Sequence, residues 1–228
     1  MGALNRSLAL GLWALVLLRS ASDGRLDLLL RAVYHPLVAL AGGLLLALAL
    51  LQLAVALRWQ AAIQERGQGR LTLATAAVAL ALLVVPPAPS FADLAARRPP
   101  DPVAAEAGLS FVLPPAERSL TDWVRLLREQ PDPRLHDGDP VRVSGFVLPV
   151  AGEAPQLARL LVRCCLADAA PVGLAVRWPA GQPWPPADRW LAIEGVMRQG
   201  RARDGSPRVE IEARRVRAIP RPARPLEP

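Results

Sequence analysis

The chain has 228 residues, of which 52% are hydrophobic, and it carries a net charge of +7 and two cysteines. This length allows one or two domains, and two cysteines exclude the disulfide framework of a small secreted scaffold. Every basic residue is an arginine, which is typical of a GC-rich genome, and we expect a bacterial protein. The positive charge does not predict a nucleic-acid partner, because much of the excess lies beside apolar segments in residues 1–92.

Apolar segments predict a transmembrane region over residues 1–92, with helices at about 4–20, 32–57 and 71–88. The middle segment has no charge between Arg31 and Arg58, which is long enough for a hydrocarbon core of about 30 Å. The last segment is short and ends in a run of prolines. The first lies between Arg6 and Arg19 and is interpreted either as a retained helix or as a cleaved signal peptide.

Both interpretations of the first segment place the C-terminal region outside the cytoplasm, because they give three crossings from the inside or two from the outside. The positive-inside rule supports this orientation only in part, since the loops at 58–70 and 19–31 are both rich in arginine. The inverted orientation therefore stays an alternative. His35, at the start of the second helix, is predicted to be either an interfacial anchor or a functional intramembrane residue.

Residues 93–118 are rich in proline and alanine and predict a semi-rigid linker. Ser119 and Asp122 then form a capping-box pattern, which predicts a short helix to about Glu129. Strand-like runs follow at 141–150, 160–166, 172–178, 190–197 and 209–219, with a hairpin loop at 200–206. The predicted fold class is two to three transmembrane α-helices plus a small all-β, OB-like barrel over residues 119–220, preceded by the short helix and followed by a tail at 221–228.

The only cysteines, Cys164 and Cys165, are adjacent and are followed by Asp168. In a strand the two side chains would point to opposite faces, so that one would enter the core. Three interpretations stay open. The cysteines are a small buried hydrophobe and a bystander, a redox pair, or ligands of a divalent metal together with Asp168 and His136. The usual C-x-x-C spacing of metal sites is absent, and no other cofactor is predicted.

Enzymatic activity is not expected, because no Ser/His/Asp set, phosphate loop or paired-carboxylate arrangement stands out. Trp178, Trp184 and Trp190 surround a proline-rich loop, and they are interpreted as packed residues with base stacking as the alternative. No alternation of basic and aromatic residues supports a nucleic-acid partner.

Four sequence blocks together resemble one known family. They are Tyr34-His35-Pro36, the Gly-Phe-Val at 145–147, the Arg-Cys-Cys-Leu-Ala-Asp-Ala-Ala-Pro-Val-Gly at 163–173, and residues 190–195. With these blocks the chain resembles the DUF1980 family of YcgQ-like proteins. The resemblance implies a permease subunit that pairs with a larger multi-spanning subunit of the YcgR or DUF318 type. For some members it also implies a link to divalent metals. The loop at 58–70 lacks the histidine-rich stretch of some relatives, which argues against metal donation by this loop.

The sequence therefore predicts a non-enzymatic accessory subunit of a permease in the cell membrane. Its helices contact lipid and a multi-spanning partner, and its barrel lies outside the cytoplasm. The alternative is a membrane-tethered module that handles metals or thiols through Cys164, Cys165 and Asp168.

Overall fold

The computed structural model describes residues 2–58, 69–85, 88–98 and 113–227, which belong to two compact units, residues 1–88 and 89–228. Most of the predicted loop at 58–70 and of the predicted linker at 93–118 lies outside the described residues. The first unit contains three apolar helices, with α1 packed against both others. They are α1 (Gly2–Ser22), α2 (His35–Arg58) and α3 (Gly69–Val84).

Within the described part of the chain, one helical stretch, Ala32–Arg58, is long and apolar enough to cross a membrane. Arg70–Val84 is apolar but shorter. The structure thus offers one candidate span where the sequence predicts two to three. α1 is continuous through Arg19 to Ser22, so the charged residue does not end the helix.

α1 and α2 approach closely at Gly42. A Cβ atom at this position would lie 3.0 Å from Leu18 Cγ and 3.2 Å from Leu17 Cβ. The absence of a side chain at Gly42 therefore lets α1 approach the backbone of α2 closely. Nothing lies within 4 Å of a Cβ atom built on Gly43, which is exposed on another side of α2.

Five strands of the second unit form a closed barrel in which β1 pairs with β4, β4 with β5, β5 with β3, β3 with β2, and β2 with β1. Only the β3–β5 pair is parallel among these five. A sixth short strand joins β2 in parallel on its outer side. The strands are β1 (Pro140–Leu148), β2 (Gln156–Leu161), β3 (Ala170–Arg177), β4 (Trp190–Arg201), β5 (Pro207–Ala218) and β6 (Leu226–Glu227).

Helix α5 (Leu120–Glu129) packs on the barrel and begins with the predicted capping box. Ser119 Oγ accepts a hydrogen bond from Asp122 N at 3.1 Å, and the Asp122 carboxylate accepts one from Ser119 N at 3.0 Å. The fully buried ring of Trp123 belongs to the same hydrophobic core as Val141, Leu157 and other inward residues of the strands. The predicted helix and hairpin are thus confirmed.

A second hydrophobic cluster attaches helix α4 (Phe91–Ala96) to the barrel, although the sequence placed residues from 93 onward in a linker. The fully buried ring of Phe91 lies 5.9 Å from that of Phe146 and 6.2 Å from that of Trp190, both in edge-on geometry. Asp188, at a left-handed φ of 62°, accepts a hydrogen bond from Ala92 N at 2.7 Å. Burial of an aromatic ring and a capped first turn explain why this short segment is ordered.

The second strand is the element whose observed position differs most from the predicted one. It was expected at 160–166, but β2 ends at Leu161, so the cysteines lie in the loop that follows. The physical reason is that the Asp168 carboxylate accepts hydrogen bonds from the backbone N–H groups of this loop, which replace a strand ladder. The tail also differs, because Leu226 and Glu227 form β6.

We predict that Gly195→Ala destabilises the barrel, because a Cβ atom there would lie 2.1 Å from the backbone oxygen of Glu212 at the bulge between β4 and β5. The expected loss of unfolding free energy is about 1–3 kcal/mol. Urea unfolding of the full chain, followed by tryptophan fluorescence, measures it.

Gly173→Ala is the matched control for that substitution. Its new Cβ atom would meet the movable Oε1 of Gln156 at 2.7 Å and the nearest backbone oxygen only at 3.4 Å. An equal loss of stability in both variants would contradict the backbone clash.

Candidate thiol and metal site

The loop from 162 to 169 between β2 and β3 is built around one carboxylate. Asp168 Oδ1 accepts a hydrogen bond from Arg163 N at 3.0 Å, and Oδ2 accepts hydrogen bonds from Cys164 N at 2.8 Å and from Cys165 N at 3.4 Å. A short 3₁₀ turn, Leu166–Asp168, brings the carboxylate back to these donors. The spacing between the cysteines and Asp168 therefore fixes the shape of the loop.

The two thiols converge, which corrects the expectation that they point to opposite faces. Their Sγ atoms are 3.5 Å apart, with Cys164 donating to Cys165, and both side chains are partly exposed. The opposite-face argument applies only inside a strand, and both cysteines lie beyond the end of β2. Neither thiol is therefore a fully buried core residue.

Three of the four predicted metal ligands come together. The sulfur atoms of Cys164 and Cys165 and a carboxylate oxygen of Asp168 all lie within 4.8 Å of one another. This is the only group of at least three such side chains found in the part of the chain that the structure describes. Its donors are two sulfurs and one oxygen, open to solvent.

The two histidines are placed elsewhere. His136 is buried at the start of the barrel domain, with its ring edge-on to Trp123 at 5.7 Å and its Nδ1 3.4 Å from Asp139 Oδ2. His35 Nε2 lies 3.3 Å from the Leu30 carbonyl oxygen. A metal role for His136 and a functional intramembrane role for His35 stay predictions.

The electrostatics of the loop hold the Cys164 proton tightly. The hydrogen bond to the Asp168 carboxylate, with a second one to Cys165, raises the pKa of the Cys164 thiol to about 12. Burial acts to raise the pKa of Asp168, but the hydrogen bonds from the Cys164 side chain and from three backbone N–H groups outweigh it and lower that pKa. At neutral pH the loop thus holds a carboxylate beside a neutral Cys164 thiol.

Arg98 is a residue of this site that the sequence did not reveal. Its Nη1 donates to the carbonyl oxygens of Leu166 at 2.9 Å and of Ala169 at 2.8 Å, which bracket the 3₁₀ turn. Arg98 follows helix α4, so the cluster around Phe91 positions it. In the sequence it stands only as one arginine before a proline-rich stretch, and no local pattern connects it with residues about 70 positions away.

Of the three tryptophans near the proline-rich loop, two are packed. Trp178 Nε1 donates to the Pro155 carbonyl oxygen at 2.9 Å, and Trp190 is buried in the second cluster. Trp184 is 61% exposed. The prediction of packed rings is therefore confirmed for Trp178 and Trp190 and wrong for Trp184.

Comparison with known proteins connects this barrel with a family. Residues 118–225 match the family model of the DUF1980 C-terminal domain. This part of the chain belongs to the DUF1980 family. The family predicted from the sequence is thus confirmed. The matched range contains the five strands β1 to β5 and the thiol loop, and it ends before β6. No curated protein and no solved structure matches the chain.

We predict that Asp168→Asn lowers the pKa of Cys164, because the hydrogen bond to a carboxylate and the nearby negative charge both favour the protonated thiol. The rate of alkylation by iodoacetamide, measured against pH in a Cys165→Ser background, reports Cys164 alone. The midpoint of the rate profile should move to lower pH, so that alkylation at pH 8.5 is faster.

The proton of the Cys164 thiol also makes the stability of the folded chain depend on pH. The folded chain holds this proton more tightly than an unfolded chain with a thiol pKa of 9.0, so stability should fall as the pH rises from 9 toward 12.

The control for the alkylation experiment is Asp204→Asn, which changes an exposed turn carboxylate of the β4–β5 hairpin and should leave the alkylation profile unchanged. If Asp168→Asn also leaves the pH profile of alkylation unchanged, the Asp168 carboxylate does not set the pKa of Cys164.

Proposed function

We propose that the chain is a non-enzymatic accessory subunit of a permease, anchored in the cell membrane and paired with a larger multi-spanning subunit. The observation that carries the proposal is the apolar surface of α2. Five of its exposed leucines recur every three or four residues along one stripe, and they are Leu37, Leu40, Leu44, Leu48 and Leu51. Leu46, Leu50 and Leu57 are exposed on the opposite side of the helix. Such a stripe is stable against lipid or against another apolar helix, and costs free energy in water.

Gly43 suggests how a partner helix would approach. A side chain at this position would meet nothing within 4 Å, so the backbone of α2 is accessible there. Small residues on exposed helix surfaces allow close packing between membrane helices. We propose that the multi-spanning subunit packs at Gly43 while α1 occupies the neighbouring face of α2 at Gly42.

The DUF1980 domain is proposed to lie outside the cytoplasm and to be an OB-like barrel. The order of its five closing strands, with one parallel pair between β3 and β5, supports the OB-like assignment. Two or three crossings by the apolar segments support the extracytoplasmic side, as argued from the sequence. Lipid and the permease subunit are the proposed partners, and no nucleic acid is included.

A second candidate function rests on the loop at 162–169. Two thiols and a carboxylate within 4.8 Å favour a membrane-tethered module that handles metals or thiols. This activity is compatible with the first proposal, because an accessory subunit can present such a site to a transport partner.

Orientation and partnership are tested by separate experiments. A periplasmic-type phosphatase reporter joined to the C-terminus through a flexible spacer should be active, and an active cytoplasmic reporter in its place would reject the extracytoplasmic side. Purification from detergent should recover the multi-spanning subunit with the tagged chain. Recovery of the chain alone, with the partner gene intact, would reject the accessory role.

We predict that Gly43→Leu abolishes or strongly reduces recovery of the partner, because the new side chain would fill the space that a neighbouring helix needs. Gly11→Leu is the matched control, since Gly11 is also helical and also has nothing within 4 Å of a built Cβ atom. Equal recovery from both variants would exclude docking at Gly43.

A further inference from the structure

We propose that Cys164, Cys165 and Asp168 form a binding site for one zinc-class divalent ion, held by three protein ligands with the fourth position open. The proposal rests on the second candidate function above and gives it a substrate class. It is carried by the distances between the donor atoms, the type of those atoms, and the bracing of the loop that holds them.

The separation of the sulfurs fits a shared metal ion. Two sulfurs bound at about 2.3 Å to one tetrahedral zinc ion lie roughly 3.8 Å apart. The Sγ atoms of Cys164 and Cys165 are 3.5 Å apart, so only a small rotation of the side chains is needed. The carboxylate oxygen of Asp168 lies within 4.8 Å of both, and tetrahedral geometry asks for about 3.5 Å.

A disulfide between the two cysteines fits less well. Neighbouring residues have Cα atoms about 3.8 Å apart, whereas a disulfide usually joins Cα atoms about 4.4–6.8 Å apart. Closing the bond would also require the sulfurs to approach from 3.5 Å to about 2.05 Å. A bridging ion therefore satisfies the present geometry with less rearrangement than oxidation does.

The donor set selects the class of ion. Two thiolates and one carboxylate suit a borderline cation such as Zn²⁺, whereas Cu⁺ favours soft sulfur ligands and Mg²⁺ or Ca²⁺ favours oxygen ligands alone. Binding is balanced as two thiols plus one divalent ion giving two metal–thiolate bonds and two released protons, which pass to buffer or water. Both thiols reach solvent, so the ion can enter and leave.

The charges of the three ligands and the hydrogen bonds of Arg98 also favour an ion in this loop. Once both thiols have lost their protons, the loop holds three anionic donors that repel each other, and a divalent cation offsets that repulsion. Arg98 acts as a positioning residue, because it holds the carbonyl oxygens of Leu166 and Ala169 and so fixes the turn that carries Asp168. Three protein ligands leave the fourth position of a tetrahedral zinc ion open to a water molecule or to a ligand from a partner.

The experiment uses the full chain, reduced and solubilised in detergent, with Zn²⁺ and Co²⁺ as probes. Wild type should bind one Zn²⁺ per chain, and Co²⁺ should give sulfur-to-cobalt charge-transfer absorption that Zn²⁺ removes. Cys164→Ser and Cys165→Ser should each lose that absorption. Arg98→Ala should keep it but bind zinc about 10–100-fold more weakly. Asp168→Asn, which removes a ligand but leaves both sulfurs, should weaken zinc binding further than Arg98→Ala does.

Two controls separate binding from misfolding. Asp204→Asn should bind zinc like the wild type. In unmutated protein, zinc should protect both thiols from alkylation, and a chelator should restore their reactivity, so the test does not depend on the stability of a variant. No bound zinc in reduced wild type, or equal binding by the cysteine variants, would overturn the site.

Failure of the zinc site can be distinguished from failure of either proposed function. A chain that binds zinc but purifies without a partner keeps the metal site and rejects the permease role. A chain that binds no zinc but exchanges disulfides with a small thiol such as glutathione supports the thiol-handling form of the second candidate and rejects the zinc site.

Discussion

The thiol loop depends on the burial of Phe91. This ring fills a space between Phe146 and Trp190 and holds helix α4 on the barrel. Helix α4 in turn delivers Arg98 to the carbonyl oxygens of the loop. Phe91 lies only seven residues after the end of α3, yet it is part of the second unit's core. A segment that composition assigns to a spacer is the element that braces the site.

Asp168 has two roles that compete for the same oxygens. Its carboxylate accepts three backbone hydrogen bonds that shape the loop, and it is also the third donor of the proposed ion. Ionised carboxylates offer about four lone-pair positions, and the Cys164 thiol occupies the one that the three backbone bonds leave. That position becomes free for a cation when the thiol loses its proton. This count explains why a single acid can both build the loop and contact a cation. The backbone N–H groups of both cysteines donate to the same oxygen, so both residues are held next to the carboxylate.

Much of the barrel was predictable because its signals are local. The capping box at Ser119, the hairpin at 200–206 and four of five strand positions follow from side-chain pattern and turn chemistry. The position of the cysteines could not be predicted from these signals. An apolar run of this length is typical of a strand, and a hydropathy pattern does not reveal the three backbone N–H bonds to Asp168 that end the strand. Arg98 and β6 were missed for a different reason. Both make their hydrogen bonds with residues more than 60 positions away, and no local sequence pattern shows such a contact.

The pairing of β6 with β2 has a consequence for how the protein is made. Glu227 O accepts a hydrogen bond from Val162 N, two residues before Cys164, and the Pro225 oxygen accepts one from Arg159, 66 positions earlier. During synthesis the strand before the thiol loop therefore emerges long before its outer partner does. The upstream edge of the thiol loop therefore stays unpaired while β3, β4 and β5 are made, and it is completed only after the five strands of the barrel exist.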